Sequence, residues 1–412
     1  MSMPKRKPSL TPGEALEFHQ DTLVVDSKMI VSLGILFTDK MREAMGEWVA
    51  EGRLSRTEIQ GRLLAMEVQE LQNSPEARNK YLEFWDKTGV TVGSSTYAGP
   101  HPPDGAFETA VRSLTQGRAT IDAMGDDVRL VLTADDLEQV YKDRVHGVIF
   151  DFQDTTHIGG DLSRLDVFHD MGLRIVQLTY NLRNLVGDGC TERYKTGLTY
   201  FGLEVVERLN ELNMMVDVSH CSQQVGWDAI EHSISPVIVT HSASNGVSYH
   251  DRGKDDDLAK AIADQGGFFG VAAIAGFLRN DTNATLDDFV DHVEHLVNVM
   301  GIDHVGIGSD KCGPGPGTET MFEFPPEMGP FQESYLYMED PDPRIKVFDR
   351  GFDWLGFRPE HRLSDQHRMP DFDQPTDWPN ITVKLAERGF GEDDLRKLLG
   401  LNFLRVFRDV VG

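Results

Sequence analysis

Two histidines and one aspartate stand at the carboxyl ends of apolar runs that are typical of buried β-strands. His220 closes MMVDVSH, His241 lies near the end of PVIVTHS, and Asp310 closes HVGIGSD. A polar, metal-competent side chain at the end of a strand that is buried on both faces has either a functional or a capping role. Three such residues at strand ends favour one shared site over three separate caps.

The residue types in this set suit a metal-dependent reaction. Two imidazoles and one carboxylate are ligands for Zn²⁺ or a similar cation, and they leave one coordination position for water. A bound cation lowers the pKa of that water, and a nearby carboxylate can accept its proton. We therefore expect a zinc site at His220 and His241, with Asp310 as a further ligand or as the base.

Eight apolar runs in the chain read as strands. They are TLVVDSK (22–28), GVTVGSS (89–95), HGVIFDFQ (146–153), LRIVQLTY (173–180), MMVDVSH (214–220), PVIVTHS (236–242), GFFGVAAI (267–274) and HVGIGSD (304–310). Amphipathic stretches at helical spacing lie between them, such as FGLEVVERLNELN. This alternation predicts an α/β fold of the TIM (β/α)8 barrel type, because polar residues end most strands instead of marking a single crevice.

Further site candidates follow from the barrel, in which side chains at the carboxyl strand ends converge on one face. By position, Lys28, Gln153 and Tyr180 join the histidines and Asp310. Arg252, in the segment SYHDRGKDDD after the sixth strand, could hold a substrate carboxylate through a bidentate contact. A loop salt bridge with the aspartates at 255–257 is the competing interpretation of Arg252.

The predicted domain organisation is an N-terminal tail at residues 1–20 and one barrel domain at 21–412. Two segments exceed the repeating unit: a helical insertion at 31–87, and residues 313–375, which are rich in Pro, Gly, Asp and aromatic residues. The second segment leaves the barrel mouth directly after Asp310. It is a candidate lid or pocket wall, with a surface insertion or an oligomer contact as the alternative.

Composition and charge narrow the function classes. The chain has 412 residues, with 40 Lys and Arg against 67 Asp and Glu and a net charge of −27, which disfavours nucleic acid and anionic membranes as partners. Its three cysteines are too few and too scattered for a disulfide framework. With neither a signal peptide nor a membrane span expected, we predict a cytoplasmic protein that acts on a small molecule.

Signatures of other chemistries are weak. Gly306 and Gly308 do not complete a GxGxxG motif and open no helix, which disfavours a nucleotide site. Ser219 and Ser242 flank the two histidines, but the chain has no GxSxG nucleophile elbow.

Together these residues resemble the membrane (renal) dipeptidase family, whose members are binuclear zinc TIM barrels of the amidohydrolase type. The most specific stretches are GLTYFGLEVVERLNELNMMVDVSHCS, PVIVTHSAS, HDRGKDDDLAKAIADQGG and GIDHVGIGSD. The resemblance implies that His220 and His241 bind the second metal, that Asp310 is the catalytic aspartate and that Arg252 holds the substrate's carboxylate. It also suggests a homodimer.

The chain departs from this family pattern at three strand ends. The family's first strand carries Asp-Gly-His-x-Asp, whereas residues 26–30 read Asp-Ser-Lys-Met-Ile, so both ligands of the first metal are missing. Gln153 replaces a glutamate that bridges the metals; its neutral amide is a poor bridging ligand, but Gln153 is kept as a candidate metal ligand. Tyr180 replaces a histidine that contacts the substrate. We expect Lys28 to occupy the space of the missing metal and Gln153 and Tyr180 to contact the substrate.

The expected function is therefore a metal-dependent hydrolase with a one-metal or degenerate site, acting on a dipeptide or small amide with a free carboxylate. A repurposed barrel is the first alternative, in which Lys28, Tyr180 and Asp310 transfer protons in a tautomerisation or elimination. A catalytically inactive, ligand-binding homologue is the second.

Overall fold

The strands of the barrel follow each other in chain order. The computed structural model describes residues 7–30, 36, 38–51, 56–99, 103–279, 284–312, 356–357, 361 and 369–412. Its strands are β1 (Val25–Asp26), β2 (Met29–Ile30), β3 (Val92–Ala98), β4 (Val128–Leu130), β5 (His146–Phe152), β6 (Leu173–Gln177), β7 (Met215–Asp217), β8 (Ile238–Ser242), β9 (Phe268–Val271), β10 (Val305–Ile307) and β11 (Lys311–Cys312). The main sheet is parallel and has the order β1-β3-β5-β6-β7-β8-β9-β10.

The first and last strands close the barrel. The backbone N–H of Ser27 donates to the carbonyl of Ile307 at 3.0 Å, and that of Asp310 donates to the carbonyl of Lys28 at 2.8 Å. Beyond these contacts β2 and β11 pair in parallel, with Met29 opposite Lys311. All eight predicted strands are present in a nearly closed parallel barrel, so the predicted TIM barrel is confirmed.

Of the three short strands that were not predicted, β2, β11 and β4, only β4 belongs to the main sheet. It pairs with the amino-terminal half of β5, where Val128 lies opposite His146. The adjacent β6 pairs with β5 only from Phe150 onward. The three residues of β4 are too few to give a clear apolar alternation, so the sequence pattern does not predict this strand.

Helices surround the strands and fill the connections. Their bounds are Pro12–Asp21, Asp39–Glu51, Arg56–Asn73, Pro75–Thr88, Ala106–Met124, Ala134–Asp143, Ser163–Asp170, Tyr200–Glu211, Gln223–His232, Asp256–Asp264, Ala275–Leu278, Leu286–Met300, Pro379–Glu387, Glu392–Arg396 and Asn402–Val410, with a π-helix at Lys397–Leu401. The segment expected to be a tail thus contains most of the first helix, and the 31–87 insertion contains the next three almost entirely. Most of the 313–375 segment lies outside the described residues.

Local signals fix the helix that follows the first site histidine. Ser222 is the N-cap of Gln223–His232, and its hydroxyl accepts a hydrogen bond from the backbone N–H of Val225 at 3.2 Å. An N-cap hydroxyl satisfies an amide that the first helical turn leaves without a partner. The chain therefore leaves the mouth immediately after His220, which holds that residue at the strand end.

Two glycines permit close contacts inside the barrel. A Cβ atom at Gly270 or Gly308 would lie 2.1 Å or 1.9 Å from the carbonyl oxygen of Thr240. The hydroxyl of Ser27 enters the same space and donates to that carbonyl at 2.6 Å. Packing against β8 therefore explains Gly308 of the GIGSD motif, and no bound nucleotide is needed for it.

No helix in the described ranges is long and apolar enough to cross a membrane.

Candidate active site

The two histidines meet at the barrel mouth. His220 follows β7 and His241 lies in β8, and the exposed fractions of the residues are 2% and 0%. Their Nε2 atoms are 2.9 Å apart. Burial, followed by the charge of Arg252, holds the pKa of both imidazoles well below the ordinary range. Two neutral imidazoles thus face each other across one small space.

The other ring nitrogen of each histidine also has a partner. Nδ1 of His220 lies 2.6 Å from Oδ1 of Asn181, and Nδ1 of His241 lies 2.8 Å from Oγ1 of Thr240. The ring of Tyr180 stacks on His220, with 4.0 Å between ring centroids and 19° between planes. Tyr180 is partly exposed, so its ring covers one face of the histidine pair and forms part of the site wall.

Asp310 sits where the barrel closes. Its backbone has φ = +58°, a left-handed conformation that a non-glycine residue rarely adopts. Burial raises the pKa of the Asp310 carboxyl to about 6, against the lowering effects of Arg252 and then Lys28. At neutral pH the group is mostly ionised, and its affinity for a proton exceeds that of an ordinary aspartate.

Lys28 forms a buried ion pair inside the barrel. Its Nζ donates to Oδ1 of Asp151 at 2.6 Å and to Oγ1 of Thr96 at 3.2 Å, and neither side chain of the ion pair is exposed. The hydroxyl of Ser94 donates to the other Asp151 oxygen at 2.7 Å. Gln153 is buried beside this cluster and donates to Thr96 Oγ1 at 2.8 Å.

Arg252 is fully buried and contacts the strand ends that carry the histidines. Its guanidinium donates to the carbonyl of His241 at 2.7 Å and to the carbonyl of Ser219. It also lies over the ring of Phe277, 5.6 Å from the centroid. The structure describes no ion pair between Arg252 and the aspartates at 255–257. Nε of Arg252 has no hydrogen-bond partner among the described residues, so one donor is available to a ligand.

Several polar residues of the site were missed in the sequence. Asp217 in β7 and Asp151 in β5 are buried within apolar strands, and Asn181 and Thr240 contact the histidines. Lys254 is also buried, donates to the carbonyl of Cys221 at 2.5 Å, and has a pKa lowered to about 8 by burial. A charged residue inside an apolar run, as in MMVDVSH and GVIFDFQ, was the available signal for the two aspartates.

The expected shared ligand set is only partly assembled. His220 and His241 come together, but the described residues contain no group of three or more His, Cys, Asp or Glu side chains that could hold a metal ion. Asp310 and Gln153 as additional ligands therefore stay predictions. The side-chain amide of Gln153 donates to the hydroxyl oxygen of Thr96. The facing imidazoles of His220 and His241 have the chemistry to hold one cation.

The fold and the site define a parallel α/β-barrel protein with a histidine pair at the mouth. The sequence model of the membrane dipeptidase family, peptidase family M19, matches residues 77–321, and the chain belongs to this family.

Related proteins and structures agree with this assignment. The chain is 25% identical over 293 residues to dipeptidase tcpJ of Claviceps purpurea, covering 70% of this chain but 57% of that protein. It is 32% identical over 196 residues to an uncharacterized protein in the pqqA 5′ region of Klebsiella pneumoniae, covering 45% and 72%. An amidohydrolase from Pseudomonas aeruginosa superposes with a TM-score of 0.70 at 26% identity, covering 97% of this chain and 99% of that one.

A metallo peptidase from Rhodobacter sphaeroides, liganded with a phosphinate mimic of the dipeptide L-Ala-D-Ala, shares the fold. Its TM-score is 0.66 at 18% identity, covering 94% of this chain and 99% of that one.

Proposed function

We propose that the protein is a metal-dependent hydrolase that cleaves a dipeptide or another small amide with a free carboxylate, using one divalent cation. The observation that carries this proposal is the 2.9 Å approach of two neutral Nε2 atoms at the mouth of the barrel. Nitrogen ligands of one zinc ion lie about 2.0–2.1 Å from it, so a small movement of the rings would admit the cation between them. When bound, it would act as a Lewis acid on the carbonyl of the scissile amide.

Asp310 is the proposed base. Its pKa is raised to about 6, which is still low enough for the carboxyl to be mostly ionised at neutral pH. The raised pKa also gives it a stronger affinity for the proton of an attacking water than an unperturbed aspartate has. The charges of Arg252 and Lys28 both act on this carboxylate and limit the rise of its pKa. The base is therefore tuned by fixed cations that belong to the chain itself.

Lys28 supplies a positive charge beside the proposed single-cation site through its ion pair with Asp151. Its ammonium is bound by Asp151 and Thr96, and moving it away would leave the buried Asp151 carboxylate without its cation. We propose that this ammonium takes the space of a first metal. Gln153, a neutral amide, fits a site that holds less positive charge than a binuclear one.

Arg252 is the proposed contact for the substrate's carboxylate. The guanidinium keeps its Nε donor free, although its terminal nitrogens already hold the carbonyls of Ser219 and His241. A substrate carboxylate would accept from Nε and from the remaining hydrogens of the fork. The protein would therefore prefer acids to the corresponding carboxamides. Tyr180, stacked on His220, would line the same substrate space.

Elemental analysis and a substrate screen test the proposal together. Wild type, His220→Ala, His241→Ala and the double variant are saturated with zinc, desalted and analysed for bound metal. The same proteins are assayed with dipeptides, N-acyl amino acids and the carboxamide of each.

We expect about one zinc per wild-type chain, sharply lower occupancy in the variants, and hydrolysis only by the loaded wild type. Full occupancy in the double variant would overturn the metal assignment. Bound zinc without any hydrolysis would instead favour the non-hydrolytic or ligand-binding alternatives.

A further inference from the structure

We infer that Thr240 and Asn181 are positioning residues that hold both site histidines in the Nδ1–H form. Both Nε2 lone pairs would then point at the space between the rings. The inference rests on the proposed cation site for its role, but the geometry that supports it belongs to the protein alone.

The form of His241 follows from the hydrogen bonds of Asp217. This buried residue accepts from the hydroxyls of Thr240 and Ser219, each at 2.5 Å, and from their backbone N–H groups at 3.1 Å and 2.9 Å. A carboxylate with four donors acts purely as an acceptor, so the single hydroxyl hydrogen of Thr240 points at Asp217. Thr240 Oγ1 can then offer only a lone pair to His241, and Nδ1 of His241 must carry the hydrogen.

The form of His220 follows from the contacts of Asn181. Oδ1 of Asn181 lies 2.6 Å from Nδ1 of His220 and accepts from Sγ of Cys190 at 3.1 Å. Since a thiol and a ring nitrogen converge on the same amide oxygen, that nitrogen is the protonated one. The Asn181 amide thereby selects the ring form of His220.

The consequence appears at the other end of both rings. With each hydrogen on Nδ1, neither Nε2 has a hydrogen to place in the 2.9 Å gap. Two lone pairs at this distance repel each other unless a positive charge lies between them. A partner that fixes the protonation site of a ligating histidine also orients the ring and raises its basicity. Asp217–Thr240–His241 and Cys190–Asn181–His220 are thus two supports for one cation.

Metal affinity provides the first test, with zinc as the probe and a chromophoric chelator as the competitor. Thr240→Val removes the acceptor but keeps the shape, and zinc should bind about 10–100-fold more weakly, as for other lost supports of this kind. Thr240→Ser should bind zinc like the wild type. Asn181→Leu should lose affinity in the same way, while Asn181→Asp keeps an acceptor and should retain it.

Thr382→Val is the matched control. Thr382 Oγ1 lies 2.8 Å from Nδ1 of His19, which is the same kind of contact on a buried histidine outside the site. This variant should leave zinc affinity unchanged. Equal affinities for wild type, Thr240→Val and Asn181→Leu would overturn the positioning role.

The second test reads the ring forms without metal. Long-range ¹H–¹⁵N spectra of chelator-treated protein with ¹⁵N-labelled histidine, at pH 8, should show Nδ1 protonated and Nε2 unprotonated in both His220 and His241. Assignment uses the single alanine variants. A hydrogen on Nε2 of either ring would refute the inference even if Thr240→Val failed to fold. If the wild type held no zinc at the pair, the proposed function would fail, while these spectra would still decide the ring forms.

Discussion

Removing the charge of Lys28 should cost far more stability than removing a surface lysine. The perturbation is Lys28→Met, which keeps the length of the side chain. Nζ lies 2.6 Å from Oδ1 of Asp151, and both side chains are 0% exposed. At an effective dielectric constant of about 20, the gross attraction at this separation is about 6 kcal/mol. Desolvation of both ions offsets much of this, so we expect a loss of about 3–5 kcal/mol, the usual cost of breaking a buried pair.

The assay is urea unfolding followed by circular dichroism, with a chelator present so that bound metal does not contribute. Lys80→Met is the control, because Lys80 pairs with Glu76 at 3.0 Å while the two side chains are 63% and 79% exposed. That pair should contribute less than about 1 kcal/mol. Adding Asp151→Asn to Lys28→Met should recover part of the loss, since no buried charge then lacks its partner. A loss for Lys28→Met no larger than that for Lys80→Met would refute the assignment of a buried, paired ammonium.

Three further predictions concern the metal, the substrate and pH. A triple variant should raise zinc capacity from one towards two ions per chain; its substitutions are Lys28→His, Ile30→Asp and Gln153→Glu. Elemental analysis measures the bound zinc. Two tightly held ions in the unmodified chain would contradict the single-cation site. Arg252→Lys should lower kcat/KM for substrates with a free carboxylate and narrow their advantage over the carboxamides, because an ammonium cannot reproduce the planar guanidinium fork. Identical kinetics for acid and carboxamide in the wild type would show that Arg252 does not bind the substrate's carboxylate. Burial lowers the pKa of His292 to about 4, so its stabilising contribution is complete above the unfolded pKa near 6.5 and is lost as pH falls towards 4. This loss is roughly 3 kcal/mol, and His292→Gln should flatten the acid limb of the unfolding free energy.

The positions of the strands and the histidine pair could be predicted because they depend on local pattern. The runs ending at His220 and His241 are apolar, and a barrel places neighbouring strand ends together whatever their sequence separation. The same logic predicted Lys28 and Gln153 at strand ends, and the structure brings both into contact with Thr96. Their partners could not be predicted, since Asp151 contacts Lys28 only after the barrel has formed.

The details of Asp310 and Arg252 also lay beyond the sequence. Asp310 combines a positive φ with a closing hydrogen bond to the distant Lys28, and neither feature has a local sequence signature. The sequence left Arg252 between a substrate contact and a loop salt bridge, whereas in the structure its guanidinium donates to the backbone carbonyls of two strand ends. When a loop side chain has several possible acceptors, tertiary packing decides which one it contacts, and sequence spacing does not.

The closing seam of the barrel has a consequence for biosynthesis. Ser27 and Ile307, which bond across the seam, are separated by 280 residues in the chain. During synthesis from the N-terminus, the strands that carry His220 and His241 therefore emerge well before Asp310 does. A nascent chain could place its two imidazoles side by side while Asp310, the proposed base, is still in the ribosome. Under the proposed function, turnover would begin only when the last strand reaches the first, so activity would report the long-range step of folding.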